Sequence, residues 1–190
     1  MKSLQLVKPH LLVAIGIPGA GKSTFISKFA HTFNAPFIDY AELQALGGDT
    51  ETAKKIAAYT LDRLFLTKQT IVMDGRGNTA ADRRELINLA SKHGYVPVFI
   101  WVQTEPATAE HRAVHAKGAT MSLSEFDERV AQFQMPGKAD QVIVISGKHT
   151  YASQARMVLK RLSDERPTVA QPKIVTPPRR IVPERGRFIR

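Results

Sequence analysis

Cysteine is absent from all 190 residues. Disulfide frameworks and thiolate-held metals are therefore excluded, and nothing calls for an oxidising compartment, so a cytoplasmic location is expected. Long apolar runs are missing too. The stretch from Leu11 to Ile17 is far too short to cross a bilayer and runs into a glycine-rich segment instead of a signal-peptidase site, so no membrane partner is expected. Acidic residues are scarce, 17 against 27 basic, leaving a formal net charge of +10. Half of that excess lies from Pro167 to Arg190, where six basic residues face one acid and five of the 11 prolines are gathered. Proline at that density opposes helix and favours extended backbone. The expected organisation is one domain over 1–165, with enough apolar content (43%) for a single core, followed by a basic, proline-rich tail over 166–190, disordered or extended and suited to polyanions.

Within the domain, apolar runs alternate with helical periodicity. Leu11 to Gly16 reads as a strand covered on both faces and Ser23 to Phe33 as a helix, with Phe25, Ile26, Phe29, Ala30 and Phe33 on one side. Pro36 to Asp39, Thr70 to Asp74, Val96 to Val102 and Val142 to Ile145 read as four further strands. Helices are expected over Thr50 to Leu66 (Ala53, Ile56, Ala57, Thr60, Leu61, Leu64), after the cap Thr79-Ala-Ala-Asp82 (Leu86, Ile87, Leu89, Ala90), and over Tyr151 to Leu162. Gln103 to Ala139 is a polar helical insertion capped at Ser122-Leu-Ser-Glu125, placed where a lid would be. Five strands alternating with helices imply an α/β fold with a parallel sheet and ligands at the strands' carboxyl ends.

Chemistry concentrates at those ends. Gly16-Ile-Pro-Gly-Ala-Gly-Lys-Ser-Thr24 satisfies GxxxxGK[ST] between a strand and a helix, the context in which Gly16, Pro18, Gly19, Ala20 and Gly21 shape a loop whose N–H groups cradle phosphates. Lys22 would neutralise the β and γ charges, Ser23 would offer its hydroxyl to Mg²⁺, and Thr24 completes the motif. The implied ligands are ATP and Mg²⁺. Asp74 ends a buried strand as a Mg²⁺-water ligand would, or else begins the turn Asp74-Gly75. Asp39 ends the second strand and either accepts a proton from an incoming hydroxyl or caps the segment Tyr40 to Leu46. Arg112 could swing onto a transferring phosphate, although from the residues alone it reads as a solvated helix arginine, and Lys117 likewise. His111 and His115 stand four apart, but HRAVH lacks the acid of HExxH and no third ligand is evident.

From Leu11 to Leu162 the chain resembles P-loop kinases of the polynucleotide-kinase and zeta-toxin type, a group also described as AAA-family ATP-binding proteins. The resemblance rests on GIPGAGKST, Asp39, IVMDGRGN with Ala-Asp-Arg-Arg84, Arg112, and Arg129, Phe133 and Pro136 before the last strand. It implies a three-layer P-loop NTPase fold of the kinase type with sheet order 2-3-1-4-5 and a helical lid over about 103–139. It also implies that Asp39 is the general base for the acceptor hydroxyl and that Arg112 contacts the phosphates, making Lys22, Asp39 and Arg112 the catalytic set. Polynucleotide kinases commonly carry an arginine shortly after the base, where this chain has Tyr40, Ala41 and Glu42. Their Asp-x-Asn is lengthened here to Asp74-Gly-Arg-Gly-Asn78, and Ala116 stands where a second lid arginine is usual. The leading expectation is a kinase acting on a 5′-hydroxyl nucleic acid end, because net charge and tail favour polyanions. The alternatives are a small-molecule kinase acting on a nucleoside, sugar or antibiotic, and a nucleotide-dependent switch with little transfer activity.

Overall fold

The computed structural model describes residue 6, residues 8–47 and residues 49–164; the tail expected over 166–190 lies outside the described residues. Strand β1 (His10–Ile15) is buried at every position because it is the middle strand of five. Helix α1 (Lys22–Phe33) follows, then β2 (Phe37–Asp39), α2 (Tyr40–Gly47), α3 (Thr50–Phe65), β3 (Ile71–Asp74), α4 (Ala80–Lys92) and β4 (Val96–Gln103). The expected insertion contains α5 (Pro106–Glu110), a π-helical turn (His111–His115) and α6 (Leu123–Gln132), before β5 (Val142–Ser146) and α7 (Tyr151–Asp164). All strands pair in parallel in the order β2-β3-β1-β4-β5, as expected.

The pleat divides the core in two. Leu12 and Ala14 of β1 join Val98, Ile100, Ile143 and Ile145 beneath α1 and α7, whereas Leu11, Val13 and Ile15 join Ile71, Met73 and Phe99 beneath α3 and α4. This gives three layers, helices over both faces of the sheet. Two helices turn differently from the periodic reading. Helix α3 buries Ala53, Ala57, Leu61 and Phe65, one residue per turn, and leaves Ile56 37% exposed. Helix α4 buries Leu86 and Ala90 as expected but adds Arg83 to the same face. Both expected caps form: Thr79 accepts from the Asp82 amide at 3.1 Å and Ser122 from the Glu125 amide at 3.2 Å. Among the described residues no helix is long and apolar enough to cross a membrane.

In this order β1 connects first to one side of the sheet, through α1 to β2, while β4 lies on its other side. Reversal of strand order opens a crevice at the carboxyl end of β1, and the glycine-rich loop fills it.

Candidate functional site

Gly16 leaves β1 with φ +140°, and an added Cβ would lie 2.7 Å from the Val102 carbonyl oxygen of the neighbouring strand. Gly19, at φ +70°, packs so closely on the backbone of Ala109 in α5 that a Cβ would collide with its carbonyl. A side chain at either position would displace the loop from β4 or from the insertion. Ala20 is fully buried, and its carbonyl accepts from the Thr104 hydroxyl at 3.0 Å, which props the loop on the end of β4. Helices α3, α4 and α6 carry side-chain caps, from Asp49, Thr79 and Ser122. Helix α1 instead starts from Gly21 with no side-chain cap and no acid in its first turn. Its leading N–H groups and positive dipole end are left to an anion.

Lys22 projects from the first turn of α1, and its ammonium donates to the Ile17 carbonyl at 2.8 Å. Burial lowers its pKa from 10.5 to about 8, Asp74 opposing that change and Arg129 adding to it. Burial likewise raises the Asp74 carboxyl above its ordinary value, while the Ser23 hydroxyl beside it and the Lys22 charge pull it back down. Asp39 adds a further upward push, since β2 and β3 pair Asp39 directly with Asp74. Two carboxylates therefore share the sheet's carboxyl edge beside one lysine. A serine hydroxyl beside a buried carboxylate is a set of hard oxygen donors fitting Mg²⁺, and Ser23 and Asp74 are the residues that would hold it.

Asp39 does cap the next helix: its Oδ1 accepts from the amides of Ala41 at 2.9 Å and Glu42 at 3.2 Å. The capping contact that the sequence offered for Asp39 is thus present. Arg112 comes from the π-helical turn and donates to the Gly147 carbonyl at 3.3 Å. It lines a polar cavity of about 540 Å³ together with Gly19, Lys22, Ser23, Thr24 and Lys28. A larger cavity of about 630 Å³ over β4 and β5 is faced by Trp101, Phe133, Met135 and Val144. Its lining includes none of Gly16, Gly19, Gly21, Lys22, Ser23 or Thr24. The rings of His111 and His115 lie 6.2 Å apart, and His115 approaches Glu110 at 3.7 Å.

For three arginines quoted in the resemblance, the structure supplies the partners. Arg129 of α6 is a positive charge of the insertion whose field reaches Lys22 and helps to lower its pKa. Arg76 of the Asp74-Gly-Arg-Gly-Asn78 loop is 4% exposed, lies 5.5 Å over the Tyr40 ring and bonds to Glu85 at 2.8 Å and Asp82 at 3.3 Å. Arg83, 2% exposed, pairs with Asp140 at 3.0 Å; in the sequence it stands within Ala-Asp-Arg-Arg84 and is spaced three and seven from Leu86 and Ala90.

A family model described as "AAA domain" matches residues 11–136. No curated protein matches the sequence. Among solved structures the chain is similar to a sugar kinase from Janibacter sp., at 15% identity and TM-score 0.66, over 82% of this chain and 95% of that one. It is similar to a gluconokinase from Sinorhizobium meliloti at 20% identity and TM-score 0.62, over 82% and 93% of the two chains. The APS kinase of Mycobacterium tuberculosis, solved with AMPPNP and APS, is similar at 17% identity and TM-score 0.61, over 82% and 98%. At these identities the likeness is one of fold.

Proposed function

We infer, since this chain belongs to the AAA-domain family of P-loop proteins, that it is an ATP-dependent kinase transferring the γ-phosphoryl group to a hydroxyl of a small molecule. The observation that carries the reading is the direct pairing of Asp39 with Asp74 across β2 and β3, beside Lys22 and the uncapped start of α1. One carboxylate lies beside the Ser23 hydroxyl and suits metal holding. The other, held by two backbone amides, suits a hydroxyl proton. In the reaction the acceptor oxygen forms a bond to the γ-phosphorus, the bond to the β–γ bridging oxygen breaks, ADP leaves and the hydroxyl proton passes to Asp39. The loop amides and Lys22 hold the triphosphate, and Arg112 with Arg129 offsets charge as it spreads over the transferring group. Mg²⁺ on Ser23 and Asp74 would supply further neutralisation of the phosphate oxygens.

Support for a small acceptor comes from the site and from the fold relatives. Position 40, where a polynucleotide kinase places an arginine nearby, is a buried tyrosine whose hydroxyl donates to the Thr50 carbonyl at 3.2 Å. The cation nearest that ring, Arg76, is already paired with Asp82 and Glu85. This side of the site thus presents little free positive charge to a nucleic acid backbone, which needs Lys and Arg contacts for affinity. The sugar kinase, gluconokinase and APS kinase to which the fold is similar are named for small substrates. The expectation of a nucleic acid end rested on the net charge and on the tail, half of that charge lying in the tail, outside the described residues.

The test is incubation with γ-labelled ATP and Mg²⁺ alongside sugars, sugar acids, nucleosides and 5′-hydroxyl oligonucleotides, with a no-acceptor control. Label on one small molecule is the expected result. Label on oligonucleotides alone would reverse the acceptor assignment, and label appearing only as free phosphate would replace the kinase by an ATP-hydrolysing switch.

A further inference from the structure

Asn78 joins three separate parts of the molecule. Its side-chain oxygen accepts from the amide of Gly16, the first residue of the phosphate loop, at 3.0 Å. Its main-chain carbonyl accepts from the amide of Gln134, two residues beyond α6, at 2.9 Å. The Gln134 side chain then accepts from the amide of Ala80, in the first turn of α4, at 2.8 Å.

Arg83 locks this junction from below. One terminal nitrogen donates to the carbonyls of Gly77 at 3.0 Å and Gln134 at 2.9 Å. The other reaches the Met135 carbonyl at 3.2 Å, while Nε reaches Asp140 at 3.0 Å. Asp140 Oδ2 in turn accepts from the Gly137 amide at 2.8 Å. A guanidinium that is 2% exposed is tolerable only while its fork is satisfied. Residues 134–140 therefore cannot drift from the loop after β3 without stranding a buried charge. The insertion's exit is thus tied to the loop after β3, and through Asn78 to the phosphate loop.

We propose that Asn78 is a positioning residue that couples the phosphate loop to the lid, so that nucleotide in the loop is felt at α6 through Gly16, Asn78 and Gln134. The proposal rests on the nucleotide-binding part of the function given above, and not on transfer to any acceptor. α6 carries Arg129, and Phe133 at its end packs on Trp101 with ring centroids 5.9 Å apart. A shift of the exit therefore moves a positive charge relative to Lys22. It also alters the surroundings of Trp101, the chain's single tryptophan.

That tryptophan makes the coupling readable. AMPPNP with Mg²⁺ is titrated into the full chain, with affinity followed by calorimetry and the lid by Trp101 emission. Wild type is expected to show an emission change that saturates with the binding isotherm. Asn78→Ala should lose one loop hydrogen bond and bind roughly 3- to 10-fold more weakly. At saturation its Trp101 response should be less than half that of wild type. Gln134→Ala keeps its main-chain bond to Asn78 and spares the Gly16 bond but removes the side-chain anchor on the Ala80 amide, so it should bind nearly as wild type with a reduced response; it carries the test should Asn78→Ala not fold. A purely structural Asn78 would lower the melting temperature and leave the emission response whole. Emission unmoved by saturating nucleotide in wild type, or a full response in a folded variant, overturns the proposal. Lack of phosphorylated acceptor changes neither readout, so failure of the kinase reading is told apart from failure of the coupling.

Discussion

Replacing Lys22 by methionine should strengthen the ligand-free fold while removing its ligand. Burial is the main reason that the ammonium's pKa falls from 10.5 to about 8, with Asp74 opposing and Arg129 assisting. At about 1.4 kcal/mol per tenfold change in proton affinity, a fall from 10.5 to about 8 means that the charged lysine costs about 3 kcal/mol in the empty site. The folded value lies below the unfolded one. The cost is thus fully present below pH about 8 and is relieved as pH rises toward 10.5, and this group's contribution to stability grows with pH across that window. Methionine keeps the aliphatic stem without the charge. If about 2 kcal/mol of the cost is recovered, the melting temperature at pH 7 should rise by about 4–8 °C. Binding runs the other way, because a triphosphate restores the lysine's proton affinity. Wild type should take up about half a proton on binding ATP at pH 8 and about a tenth at pH 7. Calorimetry in two buffers of different ionisation heat reads that uptake directly. Lys22→Met should bind ATP at least about 100-fold more weakly, the scale of losing a charge-assisted contact inside a site. A wild type that takes up no proton at pH 8, or a variant that melts lower than wild type, would refute the reasoning.

Asp39→Asn should melt and bind ATP as wild type, since asparagine can still accept from Ala41 and Glu42, while transfer falls about 10²- to 10⁴-fold; full-rate transfer would remove Asp39 as base. Gly19→Ala, at φ +70° and against the Ala109 backbone, should cost about 1–3 kcal/mol in a thermal melt and weaken ATP binding. An unchanged melt would mean that the loop and α5 do not pack as described. Arg129→Ala removes one of the forces lowering the Lys22 pKa, so the pH at which half a proton is taken up on ATP binding should move above about 8. A midpoint left in place would mean that Arg129 does not face the site.

The sequence alone determined the α/β alternation, the sheet order through its resemblance to P-loop kinases, and the phosphate loop, because each is written in local pattern. Apolar runs mark strands buried on both faces, and glycine at positions 16, 19 and 21 answers to backbone angles that neighbouring residues fix. Asp39 and Asp74 were legible as strand-end carboxylates, but that they stand side by side depends on β2 pairing with β3, a contact between strands separated by two helices. The roles of Asn78, Arg83 and Arg129 could be read only from the tertiary structure. Arg83 looks like one of many surface arginines until α4 docks and turns it beneath the insertion's exit. Arg129 shows ordinary helical spacing from Glu125, with which it pairs at 2.7 Å. Whether its charge also reaches Lys22 depends on where α6 lies, and no local pattern fixes the path of an insertion held by main-chain carbonyls. A carbonyl is common to every residue, so the bonds that place Gln134 and Met135 leave no mark on residue type.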